Sequence, residues 1–180
     1  KYEVVKTIET DQTLTVQNLV SLIGAYKFLG VTEVDGVIIS SVVPKLTDTF
    51  IRYSKEILEI EPITVSNETS RYELSLEEEL GADIISTINA VNGENIIIML
   101  GTATVITYVN DGIFEGVIIA PGVKTSTDSL VSGAALLDGF TLEVPKRILG
   151  KNTNESLQSG AFYGHASMID GLIKRINPTE

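Results

Sequence analysis

An α/β fold is expected for this chain on three observations. Strand-like runs alternate with amphipathic helical stretches along its 180 residues. The run Val34 to Val43 is a nearly continuous β-branched stretch, the mark of a strand buried on both faces. Two further apolar runs, Ile96 to Met99 and Val105 to Val109, flank a glycine–threonine turn, Gly101-Thr102-Ala103-Thr104.

The elements follow in order. Tyr2 to Ile8 reads as a strand. Thr13 to Leu29 reads as a helix, with apolar positions at Leu19, Leu22, Ile23, Tyr26 and Leu29. Pro44 ends the Val34–Val43 strand, Leu46 to Leu58 is amphipathic and helical, and Ile63 to Val65 is a short strand. Glu68 to Leu74 is polar and reads as loop. Ser75, with Glu78 three residues on, forms a capping box for a helix reaching about Val91, with an apolar stripe of Leu80, Ile84, Ile88 and Val91. Asn92-Gly93 turns the chain into strands Asn95 to Leu100 and Val105 to Val109. Asp111-Gly112 is a hairpin signal leading into Phe114 to Ile119, which Pro121-Gly122 closes. Thr125 to Leu137 reads as a helix, and a last helix runs from Asn152 or Thr153 to about Ile176.

That last helix places Gly160, Gly164 and Gly171 on roughly one face. Each glycine costs about 1 kcal/mol of helix propensity, so close packing against another helix or chain is the expected compensation. Two α/β halves are drawn, residues 1–74 and 75–180. The first half reads as incomplete, because the chain opens directly in a strand at Lys1-Tyr2, and a truncation is expected.

Composition narrows the function classes. A net charge of −11 leaves no basic surface for nucleic-acid phosphates. No apolar run approaches the ~20 residues of a spanning helix, and no signal peptide is visible. With no cysteine, disulfides and thiolate metal sites are excluded. The expectation is a soluble cytoplasmic protein. The single His165 sits among small residues, builds no multi-histidine metal site and reads as structural.

Phosphate handling is the chemistry the motifs suggest. A glycine–threonine turn between two buried strands offers backbone N–H groups and hydroxyls to an anion. Asp83, taken alone, is a carboxylate on the edge of a helix. Thr153 follows Asn152 at a helix start, where Asn152 and Glu155 resemble a capping box and free N–H groups attract anions. Lys151 and Arg147 read as solvated charges. Glu77-Glu78-Glu79 tempts a metal reading, but consecutive helical residues diverge, and glutamates in a first turn suit the helix dipole.

The motifs carry a family resemblance over nearly the whole chain. Ser40-Ser41-Val42-Val43-Pro44, Arg71-Tyr72, Gly81-Ala82-Asp83, Gly101-Thr102-Ala103-Thr104, Ile119-Ala120-Pro121-Gly122 and Gly150-Lys151-Asn152-Thr153 occur in the order and spacing of type III pantothenate kinases. The tail Gln158 to Gly164, then Ile169-Asp170-Gly171, matches as well. The resemblance implies an actin-like (ribonuclease H-like) fold of two related halves, here with the first β-hairpin missing, and a homodimer joined through long helices. It implies ATP-dependent phosphorylation of pantothenate, with Mg²⁺ and a monovalent cation (K⁺ or NH₄⁺). It assigns Asp83 as the base for the pantothenate hydroxyl. Gly81 and Thr153 join it at pantothenate, and Gly101, Thr102, Thr104, Gly116, Pro121 and Gly122 lie at the nucleotide.

This chain departs from the family at particular positions. Ile84 stands where the family's arginine grips the pantothenate carboxylate, and Met99 where an aspartate precedes the glycine–threonine turn. Gly116-Val117 replaces a paired glycine, Thr13 to Val16 replaces a threonine-aspartate-glutamate segment, and the phosphate-cradling Asp-x-Gly-Asn-Thr hairpin is absent. Three readings stay open: a working pantothenate kinase, a non-catalytic subunit of a heteromeric kinase or a regulator, and a module that binds pantothenate or nucleotide without turnover.

Overall fold

The computed structural model describes residues 7–24, 34–74, 79–133 and 140–176. The chain divides into two compact units, Lys1–Ala90 and Val91–Glu180. This division lies later than the expected boundary at 74/75, because the helix carrying Asp83 is bonded to segments of the first unit. Ser40 Oγ donates to the Ala82 carbonyl at 3.1 Å, and Asn89 Nδ2 to that of Thr69 at 2.9 Å.

In the first unit, α1 (Val16–Gly24) packs on α2 (Pro44–Tyr53), with Leu19 buried and the Thr49 hydroxyl donating to the Leu14 carbonyl at 3.3 Å. Pro44 occupies the first turn of α2, where its missing N–H costs nothing. A π-helical turn (Ser54–Leu58) extends α2 and ends at Glu59, in the left-handed region at φ 57°. Around α2, β1 (Ile38–Ile39) and β2 (Ile63–Thr64) pair in parallel, Ile38 opposite Ile63 and Ile39 opposite Thr64. A parallel pair needs such a helical crossover.

The long strand expected over Val34 to Val43 shrinks to these two residues among those described. Its partner is equally short, and Ser40 turns away to bond Ala82. Nor is it buried on both faces, since Ile38 is 70% exposed while Ile39 is buried. The segment expected as loop holds a 3₁₀ turn (Asn67–Thr69) and β3 (Glu73–Leu74). α3 (Ala82–Ile88) buries Ile84, Ile85 and Ile88 and is shorter than expected. The Ser75–Glu78 capping box, Tyr26 and Leu29, and most of the strand Tyr2 to Ile8 lie outside the described residues.

The second unit is built on an antiparallel meander, β4 (Asn95–Leu100), β5 (Ala103–Asn110) and β6 (Ile113–Pro121). Asp111 and Gly112 both adopt positive φ, 44° and 89°, as a two-residue turn matching the strand twist requires. α4 (Val123–Ser132) follows β6 directly, starting earlier than the expected Thr125. The C-terminal helix begins where expected. It comprises α5 (Thr153–Ser159), a π-helical turn (Gly160–Gly164) and α6 (His165–Ile176).

Candidate functional site

The sequence-assigned residues are divided between the two units, with Gly81 and Asp83 in the first and the others in the second. In the second unit, the glycine–threonine turn joins β4 to β5 where Leu100 pairs with Thr104. Its backbone is closed by the N–H of Gly101 on the Ala103 carbonyl at 2.9 Å. The Thr102 carbonyl accepts twice, from the Gly122 N–H at 2.9 Å and the Thr125 hydroxyl at 2.7 Å. Gly101, Thr102, Pro121 and Gly122 are thus gathered at one end of the meander, with the start of α4 against them. Only glycine fits at 122, since a Cβ there would overlap the Gly101 carbonyl oxygen and sit 2.8 Å from that of Thr102. The N-cap position of α4 is Gly122, which has no side chain to cap it, so the first N–H groups of the helix point out of its end beside the turn.

Thr104 is fully buried, and its hydroxyl lies 2.7 Å from Nε2 of His165, the first residue of α6. That contact escaped the sequence reading, because the partners are separated by 61 residues. Beside the turn, α4 and the C-terminal helix enclose a cavity of about 420 Å³. Val123, Leu130, Leu157 and Met168 supply apolar walls, and Ser126 and His165 supply polar groups.

Gly116 is not brought to this end. It pairs with Tyr108, five rungs from the Ala103–Pro121 pair, or about 17 Å along the strand. There it has φ 151° beside a register shift between Tyr108 and Val109, so a β-bulge explains the glycine. Thr153 is exposed at the start of α5. Asn152 Oδ1 caps that helix by accepting the Glu155 N–H at 2.9 Å. The Glu155 carboxylate accepts the Lys151 N–H at 3.0 Å and faces Arg147 at 3.5 Å. These contacts hold its carboxyl below the usual range, the Lys151 N–H contributing most. Gly150 is required, because a Cβ there would overlap the Ser156 backbone.

In the first unit, two motifs distant in sequence line one cavity of about 340 Å³. Ser41, Val42 and Pro44 meet Leu80, Gly81 and Ala82 there. The two segments are joined by hydroxyls: Ser86 Oγ lies 2.8 Å from Ser40 Oγ and donates to the Ala82 carbonyl at 2.7 Å. Asp83 is exposed in the first turn of α3, with its carboxylate accepting the Ile84 N–H at 2.9 Å. Gly81 makes room for this pose, since a Cβ there would meet Asp83 Oδ1 at 2.5 Å. Arg71 anchors the end of α3, donating from its backbone and guanidinium to Asn89 at 2.8 and 3.0 Å.

The departures at 84 and 99 behave differently. Ile84 is 6% exposed and belongs to the core, so it is no vacated surface position. Met99 is half-exposed on a cross-strand row, opposite Val105, which in turn lies opposite Ile119. A thioether and two aliphatic side chains offer no hard oxygen to a cation. Among the described residues, no three His, Asp or Glu side chains gather where they could hold a metal ion.

Comparison with known proteins agrees with the motifs. The type III pantothenate kinase family model matches residues 2–175. The type III pantothenate kinase of Acholeplasma laidlawii is 36% identical over 154 residues, covering 83% of this chain and 62% of that protein. That of Thermomicrobium roseum is 39% identical over 153 residues, covering 80% and 59%. The chain therefore spans about three fifths of the length of these curated relatives. A solved structure described as a conserved putative Baf family transcriptional activator from Campylobacter jejuni superposes with a TM-score of 0.55 at 17% identity, covering 82% of this chain and 68% of that one. At that identity the likeness concerns the fold alone. With the motifs, the α/β architecture and a family match spanning both units in agreement, the chain belongs to the type III pantothenate kinase family.

Proposed function

We propose that the protein carrying this chain transfers the γ-phosphoryl group of ATP to the hydroxyl of pantothenate, the first step towards coenzyme A, on an actin-like scaffold. The observation that carries this reading is the junction of Gly101, Thr102 and Gly122, where main-chain bonds fix the turn against the start of α4 beside a cavity of nucleoside size. In this reading, the turn and α4 take the phosphates and the cavity between α4 and the C-terminal helix takes the nucleoside. Asp83 accepts the proton of the pantothenate hydroxyl as its oxygen attacks phosphorus and ADP leaves. Gly81 and the cavity lined by Ser41 and Val42 receive the acceptor, and Thr153 contacts it.

The family resemblance also implies Mg²⁺ and K⁺ or NH₄⁺. The row of Met99, Val105 and Ile119 does not fit a hard cation, and no step is derived through one. A homodimer is part of the same reading. Its support is the pair Phe162 and Tyr163, two aromatic side chains exposed on the C-terminal helix. A second reading, a subunit that relies on a homologue for catalysis, is favoured by the same apolar row and by the burial of Ile84.

Pantothenate-dependent ATP turnover by the natural full-length protein, alone and with any co-purifying homologue, tests both. The expected result is turnover that Asp83→Asn lowers about 10²- to 10⁴-fold, the usual worth of a general base, without altering thermal unfolding. Turnover only with the homologue would establish the second reading, and turnover indifferent to Asp83→Asn would remove Asp83 from its role.

A further inference from the structure

We infer that His165 is a positioning residue for the glycine–threonine turn, which it holds through the Thr104 hydroxyl; the inference rests on the reading that this turn takes nucleotide phosphate. Thr104 forms the rung that closes the turn, opposite Leu100 on one side and Ala120 on the other. Its hydroxyl is buried and bonded to His165 Nε2 at 2.7 Å, so the orientation of that rung is tied to α6. A hydroxyl can donate to an unprotonated ring nitrogen or accept from a protonated one, and the tie survives either tautomer.

The helix is irregular at the place that aims this ring. The π-helical turn Gly160–Gly164 ends immediately before His165. One such turn inserts a residue and rotates everything after it by about 100° relative to an uninterrupted α-helix. Single π turns inside α-helices are frequent at functional sites. His165 also lines the 420 Å³ cavity, whose opposite wall, α4, starts at the Gly122 that bonds Thr102. One imidazole therefore touches both the wall of the nucleoside cavity and the rung beneath the phosphate turn.

The test is ADP binding by calorimetry and the KM for each substrate, in the full-length protein. Removing the ring's hydrogen bond with His165→Phe, or the hydroxyl with Thr104→Val, is expected to weaken ADP binding about tenfold each, and the double variant no further. His165→Gln, whose amide reaches the place of Nε2, is expected to restore affinity to within about threefold. The KM for ATP should rise and that for pantothenate stay unchanged. Thr104→Val, nearly isosteric, keeps the test decisive where His165→Phe fails to fold. A lowered thermal midpoint with unchanged ADP affinity overturns the inference, leaving a bond that serves stability only. Additive losses overturn it as well. Absence of ADP binding by the unsubstituted protein overturns the nucleotide reading itself, and the inference falls with it.

Discussion

The turn region of the second unit and the Asp83 region of the first are built from different materials. Around Gly101, Thr102 and Gly122 the contacts are main-chain N–H and carbonyl groups, with glycine demanded by close approach at 122. Around Asp83 the proposed chemistry rests on one exposed carboxylate, and its neighbour Ile84 is turned into the core. A main-chain arrangement can persist while the side chains near it change, and the turn is closed with Met99 beside it. A side-chain site has no such reserve, because one substitution removes the group.

Introducing at 84 and 99 the residues that the family resemblance implies should separate the two regions. Ile84→Arg places an unpaired charge at a buried position, and a destabilisation of about 3 kcal/mol or more is expected in urea unfolding. A stable Ile84→Arg protein with improved pantothenate affinity would instead make position 84 part of the acceptor site. Met99→Asp, at a half-exposed position, is expected to fold and to show a Mg²⁺-dependent gain of about tenfold in ADP affinity. Equal ADP affinity with and without Mg²⁺ would show that Val105 and Ile119 exclude the cation whatever stands at 99.

Gly122→Ala attacks the turn itself. Its methyl would overlap two carbonyls, and a loss of about 2–3 kcal/mol is expected together with loss of ADP binding. Thr107 offers an opposite change in the same meander: it is fully buried and its hydroxyl has no hydrogen-bond partner among the described residues. Thr107→Val keeps the shape and removes the orphan, so stability should rise by about 1 kcal/mol. A fall would show that the hydroxyl is satisfied.

The smallest effect concerns acid. Glu155 is held below its ordinary value of 4.5, first by the Lys151 N–H and then by Arg147 and Asn152. A lowered folded pKa contributes stability that is complete above the unfolded value and lost as pH falls through the folded one. Glu155→Gln should therefore cost stability near neutrality and flatten the dependence below 4.5. A variant whose acid limb parallels the parent's would dismiss Glu155 as the source.

Local signals in the sequence were enough for the α/β class, the Asp111-Gly112 hairpin, the Asn152 cap, the start of the C-terminal helix and the stripe Leu80, Ile84 and Ile88. Each depends on backbone preference, or on apolar spacing within a few residues, which act wherever the chain finally runs. The family motifs singled out Gly101 to Thr104 and Asp83 as candidates, and their roles belong to the proposed function.

Tertiary structure decided what those signals could not. It limited β1 to two residues, because strand length is set by the partner's length and not by the run of aliphatic residues. It explained Gly116 by a bulge, joined Ser40 to α3 and delivered His165 to Thr104. Contacts between residues 42 or 61 positions apart depend on the path of the whole chain and on which faces must be buried, and neighbouring residues carry no signal of either.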